Sequence, residues 1–295
     1  MPQSPEPAAG VLYLVGTPIG NLGDLSPRAR QVLAGVQRIA CEDTRHSGLL
    51  LHQLGLRQAG GGPQLVSFHQ HNQASRITEL LAALAAGEAL ALISDAGLPG
   101  ISDPGEPLVA AARAAGRPVI CVPGPCAVTT ALVSSGLPSG RFCFEGFLPA
   151  KAGPRRRRLV ELADEERTVV LYEAPHRLVA LLEDLEAVLG DRPLQVAREL
   201  TKRHEQQVGP TVRAALAHFR THAPQGECTL VLGGRPEEPE ADWNETQLRG
   251  QLQGLLEQGF SPREATRELA ARSGHSRRAL YALLHQGERE EQTAD

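Results

Sequence analysis

Short apolar runs alternate with longer stretches of helical periodicity through the first part of the chain. Residues 11–15, 36–41, 65–68, 89–93 and 119–122 are runs of strand length. Between them, residues 27–33, 47–54, 75–86 and 107–115 repeat their apolar positions every three to four residues. Runs of the first kind predict buried strands and those of the second amphipathic helices. Their alternation predicts an α/β layer fold with a mainly parallel sheet.

The style repeats further on. Strands are expected near 142–145, 168–172, 194–197 and 228–232, with helices near 155–162, 177–189 and 212–219. Residues 134–140, with Gly136, Pro138 and Gly140, mark a hinge, and 233–242 (GGRPEEPEAD) is a polar linker. From about Trp243 the periodicity is wholly helical. Ser261, Pro262 and Glu264 give the N-cap, first-turn proline and reciprocal glutamate of a helix start. That helix reaches about Arg272, and Ser273-Gly274-His275 turns into a second, 276–285. Two helices joined by such a turn match a helix-turn-helix, and equally an ordinary helical hairpin. The division expected is an unstructured start at 1–10, lobes at 11–134 and 135–234, a linker at 235–243 and a helical module at 244–290.

Composition narrows the class. At 295 residues and 41% hydrophobic, the chain can bury a sizeable core, which excludes a small disulfide-stapled fold and wholesale disorder. No apolar stretch approaches the ~20 residues of a membrane helix, and the start lacks a secretory pattern, so a cytoplasmic protein with no membrane partner is expected. The five cysteines form no C-x-x-C pair, which predicts reduced, mostly buried thiols and no metal centre. A net charge of −4 excludes a uniformly basic surface and leaves local patches to be found.

In an open α/β sheet ligands sit beyond the carboxyl ends of the strands. The first strand is followed there by a glycine-rich turn, Gly16 to Asp24, which lacks both the dinucleotide and the P-loop spacing. The second ends in Glu42-Asp43-Thr44-Arg45, where Asp43 or Thr44 suits a helix cap and Glu42 is spare. His69 and His71 follow the third as ligands, acid–base groups or plain surface residues. After the fourth comes Ser94-Asp95-Ala96-Gly97-Leu98-Pro99-Gly100-Ile101-Ser102-Asp103-Pro104-Gly105. Such connectors ordinarily need two to six residues; this one has the length and small side chains to wrap a ligand. The fifth strand leads into Pro123-Gly124-Pro125-Cys126-Ala127, a second small-residue turn that could share that ligand.

The twelve-residue segment resembles the signature of the RsmI family, the ribosomal RNA small subunit methyltransferases I. Gly16 to Asp24, Cys41 to Arg45, Val122-Pro123-Gly124-Pro125, Phe144 to Pro149 and Tyr172-Glu173-Ala174-Pro175-His176-Arg177 match the family pattern in order. The likeness spans about residues 10 to 290. It implies two α/β lobes of the tetrapyrrole methylase type (class III methyltransferases) with a cofactor cleft between them, plus the small helix-turn-helix-like module. It also implies S-adenosyl-L-methionine as cofactor, a homodimer, and methylation of the ribose 2′-oxygen of a decoding-centre cytidine in 16S rRNA, within the 30S subunit, with no DNA partner. By motif, Asp95, Ala96, Gly97, Leu98, Cys126, Ala127 and Tyr172 are the cofactor-contacting positions. Related small-molecule methylases carry Thr at the place of Cys126, so a main-chain contact is expected there.

A ribose hydroxyl is a weak nucleophile, and a carboxylate near it can accept its proton; Glu42, Asp43 and Asp24 are the candidates on the cofactor edge. Lys151 to Arg158 (KAGPRRRR) holds five basic residues in eight, so Arg155, Arg156, Arg157 and Arg158 are expected to meet RNA phosphates, unless the run is only a solvated helix face. Arg263, Arg267, Arg272, Arg277 and Arg278 add a second basic set in the tail. The competing readings are a small-molecule, tetrapyrrole-like methyltransferase and a non-catalytic S-adenosylmethionine sensor that binds nucleic acid.

Overall fold

The computed structural model describes residues 7–56, 61–236 and 243–291. It forms two compact units, residues 1–235 and 236–295. Most of the expected linker, residues 237–242, lies outside the described residues, as do residues 1–6 of the expected unstructured start. Residues 7–10 do not fit that expectation. The Ala8 N–H donates to the Tyr13 hydroxyl at 2.9 Å and the Gly10 N–H to the Gly87 carbonyl at 3.2 Å, so the chain is already fixed there.

The first half builds strands β1 (Leu12–Val15), β2 (Arg38–Cys41), β3 (Gln64–Ser67), β4 (Leu90–Leu92) and β5 (Val119–Val122). They pair in the order β3-β2-β4-β1-β5, all parallel. The helices between them are α1 (Pro27–Gly35), α2 (Thr44–Gln53), α3 (Gln73–Ala85) and α4 (Glu106–Ala114). Because side chains alternate across a strand, Tyr13 and Val15 of β1 pack with Leu33 of α1 and Leu51 of α2 on one face. Leu12 faces the other way, onto Leu80 and Leu84 of α3 and Leu108 of α4. A sheet covered on both faces explains why its strands read as continuous apolar runs.

Helix α5 (Ala127–Ser134) departs from this layering. Its Val128, Ala131 and Leu132 pack on Val170, Ala197 and Val231, which belong to the second sheet. The change of layer therefore comes before α5, and the expected hinge at 134–140 is the return path into β6.

The second sheet contains β6 (Phe142–Phe147), β7 (Thr168–Glu173), β8 (Leu194–Arg198), β9 (Gln206–Val208) and β10 (Cys228–Leu232), ordered β6-β7-β10-β8-β9. Only β6 and β7 run parallel; β10 is antiparallel to both β7 and β8, and β9 to β8. The expected mainly parallel arrangement holds for the first sheet and not for this one. Its far face is closed by α6 (Ala152–Glu161), α7 (Pro175–Leu189) and α8 (Val212–Thr221), through Leu159, Leu178, Leu182, Leu185, Leu216 and Phe219. Burying each such side chain contributes about 1.5–3 kcal/mol.

The second unit holds α9 (Glu245–Glu257), α10 (Pro262–Ser273) and α11 (Arg277–Glu291). It has its own core of Leu248, Leu252, Leu255, Ala265, Leu269 and Leu280. Ser261 and Glu264 cap α10 reciprocally, and Gly274 ends it in the left-handed conformation at φ 66°.

Cys41 and Cys228 are buried, Cys126 and Cys143 half-buried and Cys121 exposed, all as free thiols. The expectation of mostly buried cysteines is thus met by two. The β5 edge of the first sheet leaves Cys121 uncovered.

Candidate functional site

Four loops at the carboxyl edge of the first sheet converge. Those after β1 and β5 cross backbone to backbone at Gly16 and Gly124. A Cβ on either glycine would lie 2.8 Å from the Cα of the other, so no larger residue fits at the crossing. The loops after β1 and β4 are stitched by Thr17 and Gly97. The Thr17 N–H donates to the Gly97 carbonyl at 2.9 Å and the Gly97 N–H returns to the Thr17 carbonyl at 3.2 Å. The buried Thr17 hydroxyl reaches the Ser94 carbonyl at 3.2 Å.

Beyond these loops lies a cavity of about 270 Å³. Asp95, Ala96, Gly97, Leu98, Cys126, Ala127 and Tyr172 all line it, and so does Glu42. The structure thus brings together in one cavity the positions expected to contact a cofactor and one of the three candidate bases. The other two stand apart. Asp43 N-caps α2 by accepting from the Arg45 N–H, and its carboxylate pairs with the Arg45 guanidinium at 2.9 Å. That guanidinium and N–H lower its pKa to about 2, leaving a poor proton acceptor. Asp24 sits exposed in a one-turn 3-10 helix, Leu22–Asp24, and does not line the cavity.

Several lining residues escaped the sequence reading, and most come from the second half: Phe147, Glu173, Glu199, Lys202, Glu227 and Thr229. The reason is the antiparallel pairing. Glu173, at the carboxyl end of β7, is level with Cys228, at the amino start of β10, which is also level with Arg198 at the end of β8. Segments before and after strands therefore meet on one edge, and a search restricted to segments following strands misses Glu227 and Thr229. Three non-glycine residues with positive φ offer another signal, legible only in three dimensions. Ser102, Glu199 and Thr201 lie at 61°, 53° and 67°, all in cavity-forming loops, where strained backbone commonly concentrates.

The lining is acidic: Glu42, Asp95, Asp103, Glu173, Glu199 and Glu227 stand against Lys202. Two buried oxygens in it, Oδ1 of Asp95 and Oε2 of Glu173, have no hydrogen-bond partner among the described residues. Burial first, and then the charges of Glu42 and Asp95, raise the Asp103 pKa to about 6. Burial likewise holds the Tyr172 phenol above its ordinary range and pushes the Cys228 thiol up to about 12. Tyr172 is wedged between two rings, 5.0 Å from Phe144 and 5.6 Å from Phe147, and Phe147 is itself 52% exposed at the cavity.

The arginine run divides. Arg155 is buried, its guanidinium 2.6 Å from Asp184 and bonded to the Ala150 carbonyl, so it is an internal cation of α6 rather than a surface phosphate contact. The more exposed Arg156 reaches the other Asp184 oxygen at 2.6 Å. Arg158 is held by Glu145 and Glu161. Arg157 is exposed with no ion-pair or hydrogen-bond partner among the described residues. His69 and His71 touch edge-on at 5.9 Å away from the cavity lining. Among the described residues no three potential ligands gather as a metal site.

Residues 11–217 match the family model of the Tetrapyrrole (Corrin/Porphyrin) Methylases. A Ribosomal RNA small subunit methyltransferase I from Synechocystis sp. is 51% identical over 275 residues, covering 93% of this chain and 97% of the relative. The chain belongs to this methyltransferase family. The Escherichia coli O157:H7 member is 44% identical over 290 residues, 97% of this chain and 99% of its own length. Among solved structures, a cobalt precorrin-4 methyltransferase superposes with a TM-score of 0.56 at 16% identity, over 76% of this chain and 95% of that one, which supports the two-lobed methylase fold.

Proposed function

We propose that the protein transfers a methyl group from S-adenosyl-L-methionine to the ribose 2′-oxygen of a decoding-centre cytidine in 16S rRNA, acting on the 30S subunit in the cytoplasm as a homodimer. The observation that carries this reading is end-to-end similarity to relatives named for small-subunit rRNA methylation, joined to a cavity that suits the cofactor.

The fit can be tested on the residues present. The cofactor bears a sulfonium and an ammonium, and the acidic lining complements both. The unpartnered Asp95 and Glu173 oxygens are acceptors for its donors, and Gly97 and Ala127 line the same cavity. When bound, the cofactor supplies a methyl carbon already activated for displacement. What remains for the chain is positioning and removal of water. The paired loops at Thr17 and Gly97 fix the floor. Phe147 offers an exposed ring face on which an unstacked base can lie, a contact of about 1–3 kcal/mol. Arg157 and the exposed tail residues Arg263, Arg267, Arg277 and Arg278 suit phosphate contacts.

The test is to incubate the protein with tritiated S-adenosylmethionine and 30S subunits from cells lacking this methylation, then map the label. Label on a 16S rRNA nucleotide that resists alkaline cleavage is expected, because a 2′-O-methyl blocks attack on the adjacent phosphate. Transfer only to a tetrapyrrole, or cofactor binding with no transfer, would replace this reading with one of its competitors.

A further inference from the structure

We infer that a pocket in the helical tail holds one unstacked base of the RNA substrate, an assignment that rests on the rRNA reading and shares no residue with the methyl-transfer cavity. The pocket measures about 450 Å³ and is lined by α9, the turn after it and α10, which is within the usual size of a small-ligand site. On α9 its wall is bare backbone at Gly250 and Gly254, which stand about one turn apart on one face. A Cβ at either would meet nothing within 4 Å, and neither has a positive φ. Glycine weakens a helix interior relative to alanine. Neither close packing nor a left-handed backbone requires it at these two positions, so nothing inside the unit accounts for the loss. A flat ligand lying against the uncovered backbone does.

The surrounding side chains supply what a base needs. Gly259, at φ 91°, turns the chain into Phe260, whose N–H donates to the Leu255 carbonyl at 3.2 Å. The Phe260 ring therefore lines the pocket from a fixed backbone while staying 40% exposed, and an exposed aromatic face stacks on any base. Gln251 and Gln258 add exposed carboxamides to the lining, each with a donor and an acceptor to match the Watson–Crick edge of an unpaired base. An apolar peptide helix would bury those amides unpaired, so the lining favours a planar, polar occupant. Glu268 is an acceptor for an exocyclic amine. Arg272 lies 3.7 Å from Glu268, too far for a hydrogen bond, and so stays available for a phosphate. The exposed Arg263 and Arg267 carry positive charge on the same helix, complementary to the backbone of the strand that bears the base.

The full-length protein and 30S subunits lacking the methylation test this through Phe260→Ala and the double variant Gly250→Ala/Gly254→Ala. Phe260→Ala should bind the subunits ~10-fold more weakly, with an unaltered salt slope because no phosphate contact is lost. The double variant should show two opposed effects. Its melting temperature should rise by at least ~2 °C, since alanine favours the helix, while its 30S affinity falls on the order of 10-fold, since two methyl groups occupy the place of the base. Dimethyl sulfate probing should find an unpaired adenine or cytosine that the wild type protects and that reacts again with both variants. Wild-type affinity in either variant, or protection that survives in both, overturns the assignment. So does weaker binding by Phe260→Ala alone with a lowered melting temperature, which gives the ring to packing instead. A wild type that binds 30S subunits no better than 50S subunits would overturn the rRNA reading itself, a result distinct from any failure of the variants alone.

Discussion

Gly97 carries two constraints at once. Its φ is +86°, and an added Cβ would meet the Ile19 side chain at 3.3 Å and the Pro125 carbonyl at 3.4 Å. A β-branched residue there is strained by its backbone and also pushes apart the loops after β1 and β5. Gly97→Val should therefore weaken S-adenosylmethionine binding at least ~10-fold by calorimetry, about 1.4 kcal/mol, while circular dichroism stays native. Unchanged affinity would remove this loop from the cofactor site. Asp103 gives a second prediction. Its folded pKa of about 6 exceeds the ordinary value, so the folded state binds the proton more tightly than the unfolded chain. The stability this gives is complete below about pH 4 and is lost as pH rises through about 6. Asp103→Asn stays neutral, so its melting temperature relative to wild type should rise by about 2–4 °C between pH 4 and pH 7.5, on the order of 1 kcal/mol once partial exposure is allowed for. A difference independent of pH would show that the carboxylate is not held in that environment. The length and small residues of the loop at 94–105 were legible as local signals, while Asp95, Gly97 and Tyr172 were singled out within the site by the family resemblance. Neither signal singled out Asp103, whose raised pKa comes first from burial and then from the charges of Glu42 and Asp95, an environment only the folded chain assembles.

Helix α6 shows how an element assigns different roles to identical residues. Arg155, Arg156, Arg157 and Arg158 are indistinguishable as letters, and only the helical turn decides which of them faces α7. Arg155 does, and Asp184 waits there 3% exposed, held by Arg155 and Arg156 together. Removing one partner of a buried pair leaves an uncompensated charge, so Asp184→Ala should lower unfolding free energy in urea by about 3–5 kcal/mol. Arg157→Gln should leave stability within ~0.5 kcal/mol but flatten the plot of log RNA affinity against log salt by roughly 0.7. An unaltered slope would make Arg157 a plain solvated residue. Strands were legible where apolar runs are long and both faces are covered, as in β1 to β5. The short edge strand β9 was not, because Gln206 and Gln207 carry no apolar alternation and its identity comes only from pairing with β8. The antiparallel insertion of β10 between β7 and β8 was equally hidden, and with it the second wall of the cavity.

At the scale of the whole molecule, two sheets share one unit because α5 leaves the first and lies on the second, its Val128, Ala131 and Leu132 buried against Val170 and Val231. All residues lining the cavity precede residue 230. The tail has a separate core of leucines on α9, α10 and α11, and several exposed arginines that no internal contact uses among the described residues. A chain ending at Arg235, where the first unit ends, should therefore fold, melt cooperatively and bind S-adenosylmethionine with unchanged affinity, since the burial that stabilises both sheets is retained. It should nevertheless methylate 30S subunits with kcat/KM lowered at least ~10-fold, mainly through a raised KM, because loss of phosphate contacts weakens binding without touching the transferred methyl group. Undiminished kcat/KM would show that the tail takes no part in docking. Failure to fold or to bind the cofactor would show that the helices support the catalytic unit itself. A lowered kcat at unchanged KM would mean that they order the site after the RNA has bound.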